Sequence, residues 1–162
     1  MKILAVDDDE FIRDLLVGAL SEIGLDDITV ADSAESALEL VAAAEKPFEC
    51  LLLDIRLPGK NGLELCSLLR RHTDYTSCPI LMITSVSDKA HIDRAFRAGA
   101  SDYVTKPLNM AELAARISFA QQELSRDKRV KQDDYALKVF EVLVRMWRKF
   151  SGGVLRACNL SS

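Results

Sequence analysis

Long apolar runs are missing from this 162-residue chain, and so is any excess of positive charge. The N-terminus, MKILAVDDDE, offers one lysine and a few apolar residues before the first acid, which fits neither a secretory leader nor a membrane span. A formal net charge of -4 leaves no basic footprint for nucleic acid or for an anionic membrane surface. Cysteine is sparse. Cys50, Cys66, Cys78 and Cys158 have neither the paired spacing of a metal site nor the density of a disulfide framework, so they read as small hydrophobes in a reducing compartment. The chain carries no low-complexity tract and no internal repeat beyond the alternation described next. These absences set the expectation of a cytoplasmic protein that binds neither nucleic acid nor membrane.

What is present is a regular alternation. The runs KILAVD, DITVA, CLLLD, PILMIT and DYVTK read as short strands, and between them lie EFIRDLLVGALSEIG, SAESALELVAAAEK, NGLELCSLLRRH and DKAHIDRAFRAGA, then NMAELAARISFAQQEL, with apolar residues at helical spacing. Five strand-helix units in strict order predict an α/β domain, a parallel sheet with helices on both faces. Gly24, Gly62 and Gly99 stand where helices should stop or loops should turn. CLLLD and PILMIT are apolar at consecutive positions, as central strands buried on both faces require.

Each of those two runs ends in a polar residue, Asp54 and Thr84. Open α/β sheets bind ligands beyond the carboxyl ends of their strands, so Asp7, Asp54, Thr84 and Lys106 are candidates to meet in space. Taken alone, the acidic stretch VDDDE has two readings. Its carboxylates are solvated and cap the next helix, or they hold a cation. Asp7, Asp8 and Asp54 together would repel unless a cation sat among them, and an all-oxygen donor set suits Mg²⁺. No His or Cys adjoins these acids, which speaks against zinc. Lys106 would add a compact positive charge and Thr84 a hydroxyl donor for a phosphoryl oxygen, and one carboxylate could act as a nucleophile and become an acyl phosphate.

With AVDD closing the first strand, LLLDIRLPGKNGLEL around the third, ILMITS ending the fourth and AGASDYVTKPL around the fifth, the chain resembles the receiver domain of two-component response regulators over residues 1–124. The resemblance implies a doubly wound, flavodoxin-like sheet of strand order 2-1-3-4-5. It implies Asp54 as phosphoacceptor, Asp8 as direct Mg²⁺ ligand and Asp7 as its partner acting largely through water, with the backbone carbonyl of Arg56 as a further ligand. It also implies Thr84 as the switch hydroxyl with small Ser85 beside it, Lys106 as the phosphate-pairing lysine before a cis Pro107, and Tyr103 as the aromatic that moves inward on activation. Asp9 and Glu10 fall outside the metal pair and keep the helix-start reading. The implied partners are a sensor histidine kinase or phosphotransfer protein and a downstream protein target. A flavodoxin-like binder of a small cofactor would share the fold but gives no reason for Asp54 and Lys106.

Beyond the receiver, residues 125–151 read as a helical extension. It comprises a charged linker over 125–134 and an apolar helix over 135–150, and a loose tail follows over 152–162. On a wheel of about 100° per residue, Asp134, Lys138, Glu141, Arg145, Arg148 and Lys149 share an arc of roughly 100°, and the rest of the helix is apolar. Such a helix must be covered. Its own receiver, with the helix folded back over it, and a different protein are two candidates; the preferred partner is a second copy, with Ala136, Phe140, Leu143, Trp147 and Phe150 spaced by four and three as a pairing seam, giving a homodimer through residues 135–150. The alternative makes the chain the regulatory receiver portion of a larger or trans-acting enzyme or DNA-binding output protein.

Overall fold

The computed structural model describes residues 1–85 and 89–157, with side chains only in part from residue 127 onward. Five strands alternate with five α-helices: β1 (Ile3–Val6), α1 (Glu10–Glu22), β2 (Ile28–Ala31), α2 (Ala34–Ala43), β3 (Cys50–Asp54), α3 (Gly62–Arg70), β4 (Ile80–Thr84), α4 (Lys89–Ala98), β5 (Asp102–Thr105) and α5 (Met110–Ala157). The sheet is parallel throughout in the order β2-β1-β3-β4-β5, the doubly wound arrangement with its strand-order reversal at β1 and β3. The chain divides into two units, Met1–Leu124 and Ser125–Ser162.

Strand alternation sends side chains into two separate cores. Leu4, Val6, Leu51, Leu53 and Met82 pack with Leu65, Leu69 and Ala37 on the face covered by α2 and α3. Ile3, Ala5, Leu52, Leu81 and Ile83 pack with Leu16, Leu20, Leu113 and Ile117 on the face covered by α1 and α5. Every residue of β3 and β4 is buried, which is why their sequences are apolar without a break.

The helices start and stop on local chemistry. Asp9 caps α1 by accepting from the amide of Phe11, while Ser33 with Ser36 and Asn61 with Glu64 form reciprocal capping boxes on α2 and α3. Gly24 and Gly99 end α1 and α4 with φ of 79° and 104°, and in each case the next amide reaches back to the last helical turn, Leu25 to Leu20 and Ala100 to Ala95. Gly62 instead begins α3. A Cβ there would stand 2.0 Å from the carbonyl oxygen of Asp54.

The C-terminal segment departs from the sequence reading. The structure carries one helix through residues 125–134 and past Gly152 and Gly153 to Ala157, in place of a linker, a separate helix and a tail from residue 152. The stretch SRDKRVKQDD holds neither proline nor glycine, so charge alone suggests a break there, and charge is compatible with a solvated helix. Each glycine costs such a helix only about 1 kcal/mol, which weakens it without ending it. Residues 158–162 of the proposed tail, Cys158 among them, lie outside the described residues. Among the described residues, no helix is long and apolar enough to cross a membrane.

Candidate functional site

Parallel strands in register bring their carboxyl ends to one rim, with Asp54 opposite Ile83 and Thr84 opposite Thr105. Asp7 and Asp8 follow β1, Asp54 closes β3, Thr84 closes β4 and Lys106 follows β5. The amide of Lys106 donates to the carbonyl of Thr84 at 2.7 Å, which fixes where the lysine leaves the sheet, and the Lys106–Pro107 peptide is cis.

Carboxylate oxygens of Asp7, Asp8 and Asp54 lie within 4.8 Å of one another. Asp7 and Asp54 are buried and Asp8 is exposed, so the cluster opens to solvent on one side only. Lys106 Nζ donates to Asp7 Oδ2 at 2.7 Å and to Asp54 Oδ2 at 3.2 Å, tying β1, β3 and β5 together. Asp7 Oδ1 accepts from the amide of Asp9 at 3.0 Å. Asp54 Oδ1 is different: it is buried and has no hydrogen-bond partner. A buried carboxylate oxygen left unpaired is costly. An oxygen so placed, within reach of two further carboxylates, fits a divalent cation, and the donor set is the hard-oxygen kind that Mg²⁺ takes.

The electrostatics follow from this packing. Burial pushes the Asp54 carboxyl above the ordinary aspartate range and the charge of Asp7 adds to the rise, against the pull of Lys106. For Lys106, burial alone would lower its pKa, yet the hydrogen bond to Asp7 and the charge of Asp54 outweigh it and hold the ammonium above its usual value.

Thr84 is buried at the end of β4. Tyr103 is half-buried on β5, with Phe96 edge-on at 6.1 Å and the Arg116 guanidinium 5.8 Å over its ring. Arg116 is itself held by Asp102 at 2.5 Å and Glu112 at 2.8 Å. Arg56 follows Asp54 by two residues with its side chain exposed. Thus Asp7, Asp8, Asp54 and Lys106 meet directly, with Thr84 on the same rim. Tyr103 stands two residues before the end of β5, against Phe96 and Arg116.

Sequence reasoning missed Arg13. This residue of α1 is half-buried, and its Nη1 donates to the main-chain carbonyls of both Asp7 at 2.8 Å and Asp8 at 3.0 Å. Its partners are backbone atoms, so no complementary residue in the sequence announces it. The arginine four residues past the Asp9 cap is the one signal present.

Comparison with known proteins identifies the family of the fold. The family model of the response regulator receiver domain matches residues 3–118. The transcriptional regulatory protein AruR of Pseudomonas aeruginosa is 44% identical over 119 residues, covering 71% of this chain and 47% of that protein. The DNA-binding response regulator MtrA of Mycolicibacterium smegmatis is 35% identical over 116 residues, 72% of this chain and 48% of MtrA. Among solved structures, a response regulator from Chloroflexus aurantiacus superposes with a TM-score of 0.69 at 34% identity, covering 74% of this chain and 95% of that one. The chain spans about half the length of the curated relatives it matches.

Proposed function

The chain belongs to the response regulator receiver family, and from that premise we propose that it accepts a phosphoryl group on Asp54 from a histidine kinase or phosphotransfer protein in a Mg²⁺-dependent reaction. The observation that carries this reading is the buried, unpartnered Oδ1 of Asp54 beside Asp7, Asp8 and the Lys106 ammonium. Asp7, Asp8, Asp54 and the backbone carbonyl of Arg56 would hold the ion. When bound, it supplies positive charge that offsets the oxygens of the transferring phosphoryl group.

The remaining work falls to the side chains. An Asp54 carboxylate oxygen attacks phosphorus, and the bond to the donor nitrogen breaks with its electron pair returning to the donor histidine. Lys106 already stands 3.2 Å from Asp54 Oδ2, so its ammonium needs little movement to pair with a phosphoryl oxygen. The Thr84 hydroxyl, at the end of the adjacent strand, is the donor that turns toward the same group. Tyr103 then gives up its place between Phe96 and Arg116, and the equilibrium between two arrangements of the α4–β5–α5 face shifts toward the one a downstream protein binds. The test is intact-mass analysis after incubation with acetyl phosphate. One added phosphoryl group, which does not form when a chelator is present from the start, is the expected result, and an unmodified chain in millimolar Mg²⁺ would reject the reading.

Residues 1–124 act as the receiver, and residues 125–151 as an extension that pairs two copies through 135–150 in the cytoplasm, without nucleic acid or membrane. Leu137, Phe140 and Leu143 are each more than half exposed, which supports a partner for this helix. The side chains of Ala136, Trp147 and Phe150, the rest of the proposed seam with Phe140 and Leu143, lie outside the described residues. Light scattering of the full chain should give twice the chain mass, and ending it after Leu124 should give a monomer that still labels at Asp54. A full chain that stays monomeric at high concentration would reject the pairing. The second reading, a receiver serving a larger or trans-acting enzyme or DNA-binding output protein, is favoured by one observation: the chain matches about half the length of relatives named as transcriptional regulators.

A further inference from the structure

We propose that Arg13 is a positioning residue for cation binding, clamping the loop that carries the two metal-facing carboxylates of the β1 end. The inference rests on the reading of Asp7, Asp8 and Asp54 as a Mg²⁺ site and adds to it a residue that touches neither ion nor phosphoryl group.

The loop itself supplies the reason. Asp7 and Asp8 occupy two consecutive positions between β1 and α1, where the ladder of the sheet has ended and the helix has not begun. Side-chain direction at such positions is set by the orientation of each peptide plane. The plane of Asp7 is held on its amide side by the carbonyl of Ala31 at 3.1 Å, and its carboxylate by Lys106 and the amide of Asp9. Asp8 is exposed, and nothing comparable holds its side chain among the described residues. What fixes its peptide is Arg13. One guanidinium nitrogen, carrying two N–H bonds, spans the two successive carbonyls at 2.8 and 3.0 Å. Both planes are therefore fixed relative to α1, on which Arg13 sits one turn inside the helix. A half-buried guanidinium bonded to main-chain oxygens is an unusual expense for a loop unless the orientation of those peptides matters, because charge-assisted donors are strong and planar in their demands.

Charge gives the proposal its sharp test, since positioning and electrostatics act with opposite signs. A guanidinium near a divalent cation repels it, so deleting Arg13 for charge alone would tighten binding. Deleting the clamp loosens the Asp8 peptide and weakens binding, by about tenfold on the scale seen when outer partners of metal ligands are removed.

The experiment titrates the full-length protein with Mn²⁺, read by electron paramagnetic resonance of the free ion, with Mg²⁺ in competition. Arg13→Ala is expected to bind about tenfold more weakly than the wild type. Arg13→Lys, which keeps the charge and can still reach a carbonyl, should recover most of that loss. Arg13→Gln, neutral and of intermediate length, serves if the alanine variant does not fold, and is expected to show the same weakening. The urea midpoint of each variant in chelator separates a general loss of structure, which would move it, from a local one, which would not. Equal or tighter Mn²⁺ binding by Arg13→Ala or Arg13→Gln overturns the inference while leaving the metal site standing. A wild-type chain that binds no divalent ion overturns the metal site itself, and the inference with it.

Discussion

Asp54→Asn is expected to do two things at once: abolish phosphoryl labelling completely, and raise the stability of the protein in the absence of divalent ions by about 1 kcal/mol at neutral pH. The first follows from losing the nucleophile. The second follows from the direction of the Asp54 shift. Burial, reinforced by Asp7, holds this carboxyl above the ordinary aspartate value in the folded chain. An acid whose folded pKa is raised binds its proton more tightly in the native state, so its ionisation costs stability as pH rises through the folded value. At neutral pH the wild type carries that full penalty and the asparagine variant does not. Below the ordinary aspartate value of 3.8 both folded and unfolded chains are protonated, and the gain should vanish. Urea melts in chelator across this pH range measure it. A variant less stable than the wild type at every pH would mean that the Lys106 contact outweighs the burial cost.

Lys106→Met is expected to have the opposite effect on stability and a smaller, though large, one on chemistry. Lys106 is the one cation bonded to the carboxylates of Asp7 and Asp54 among the described residues, and the Asp7 side chain has no solvent exposure. Removing one partner of a buried pair leaves the other charge uncompensated, which typically costs about 3 kcal/mol. The lysine's raised pKa places this contribution fully below the ordinary lysine value of 10.5, so it is intact at neutral pH and lost only as pH climbs through the higher folded value. Phosphorylation should slow by about 10²-fold, the usual effect of deleting one donor aimed at developing charge. Saturating Mg²⁺ should recover more stability in this variant than in the wild type, because the ion would meet three carboxylates without a competing ammonium. Equal stability of variant and wild type in chelator would remove Lys106 from the electrostatic framework of the site.

These two residues also show how much of the site is legible in sequence. Asp54 and Lys106 sit at strand ends, and the period of the apolar pattern locates strand ends well: CLLLD and PILMIT have no polar residue until the last. Once the strands are parallel, their ends share a rim, and the gathering of Asp7, Asp8, Asp54 and Lys106 follows. The strand order comes from family resemblance alone, since periodicity says which residues are buried and nothing about which strands are neighbours. Arg13 stays invisible because it recognises peptide oxygens, which every residue has. Phe96 and Arg116 stay invisible because their meeting at Tyr103 depends on how α4 and α5 lie across β5. The helix through residues 125–134 escapes the sequence reading because a switch from apolar to charged composition marks a change of surroundings, whereas a change of backbone needs a residue that disfavours the helix.

The placement of the buried thiols has a practical consequence. Cys50 lies in the core shared with α1 and α5, and Cys66 and Cys78 lie in the core on the other face of the sheet. All three are free, and burial pushes each thiol upward, that of Cys78 to about 12, so none presents a thiolate while the sheet is covered. An alkylating reagent therefore reaches them only when a layer lifts. The rate at which Cys50 acquires a label times the departure of one set of helices, and the rates at Cys66 and Cys78 time the departure of the other. The chain thus carries a separate stopwatch on each side of its sheet, readable by mass without any introduced residue.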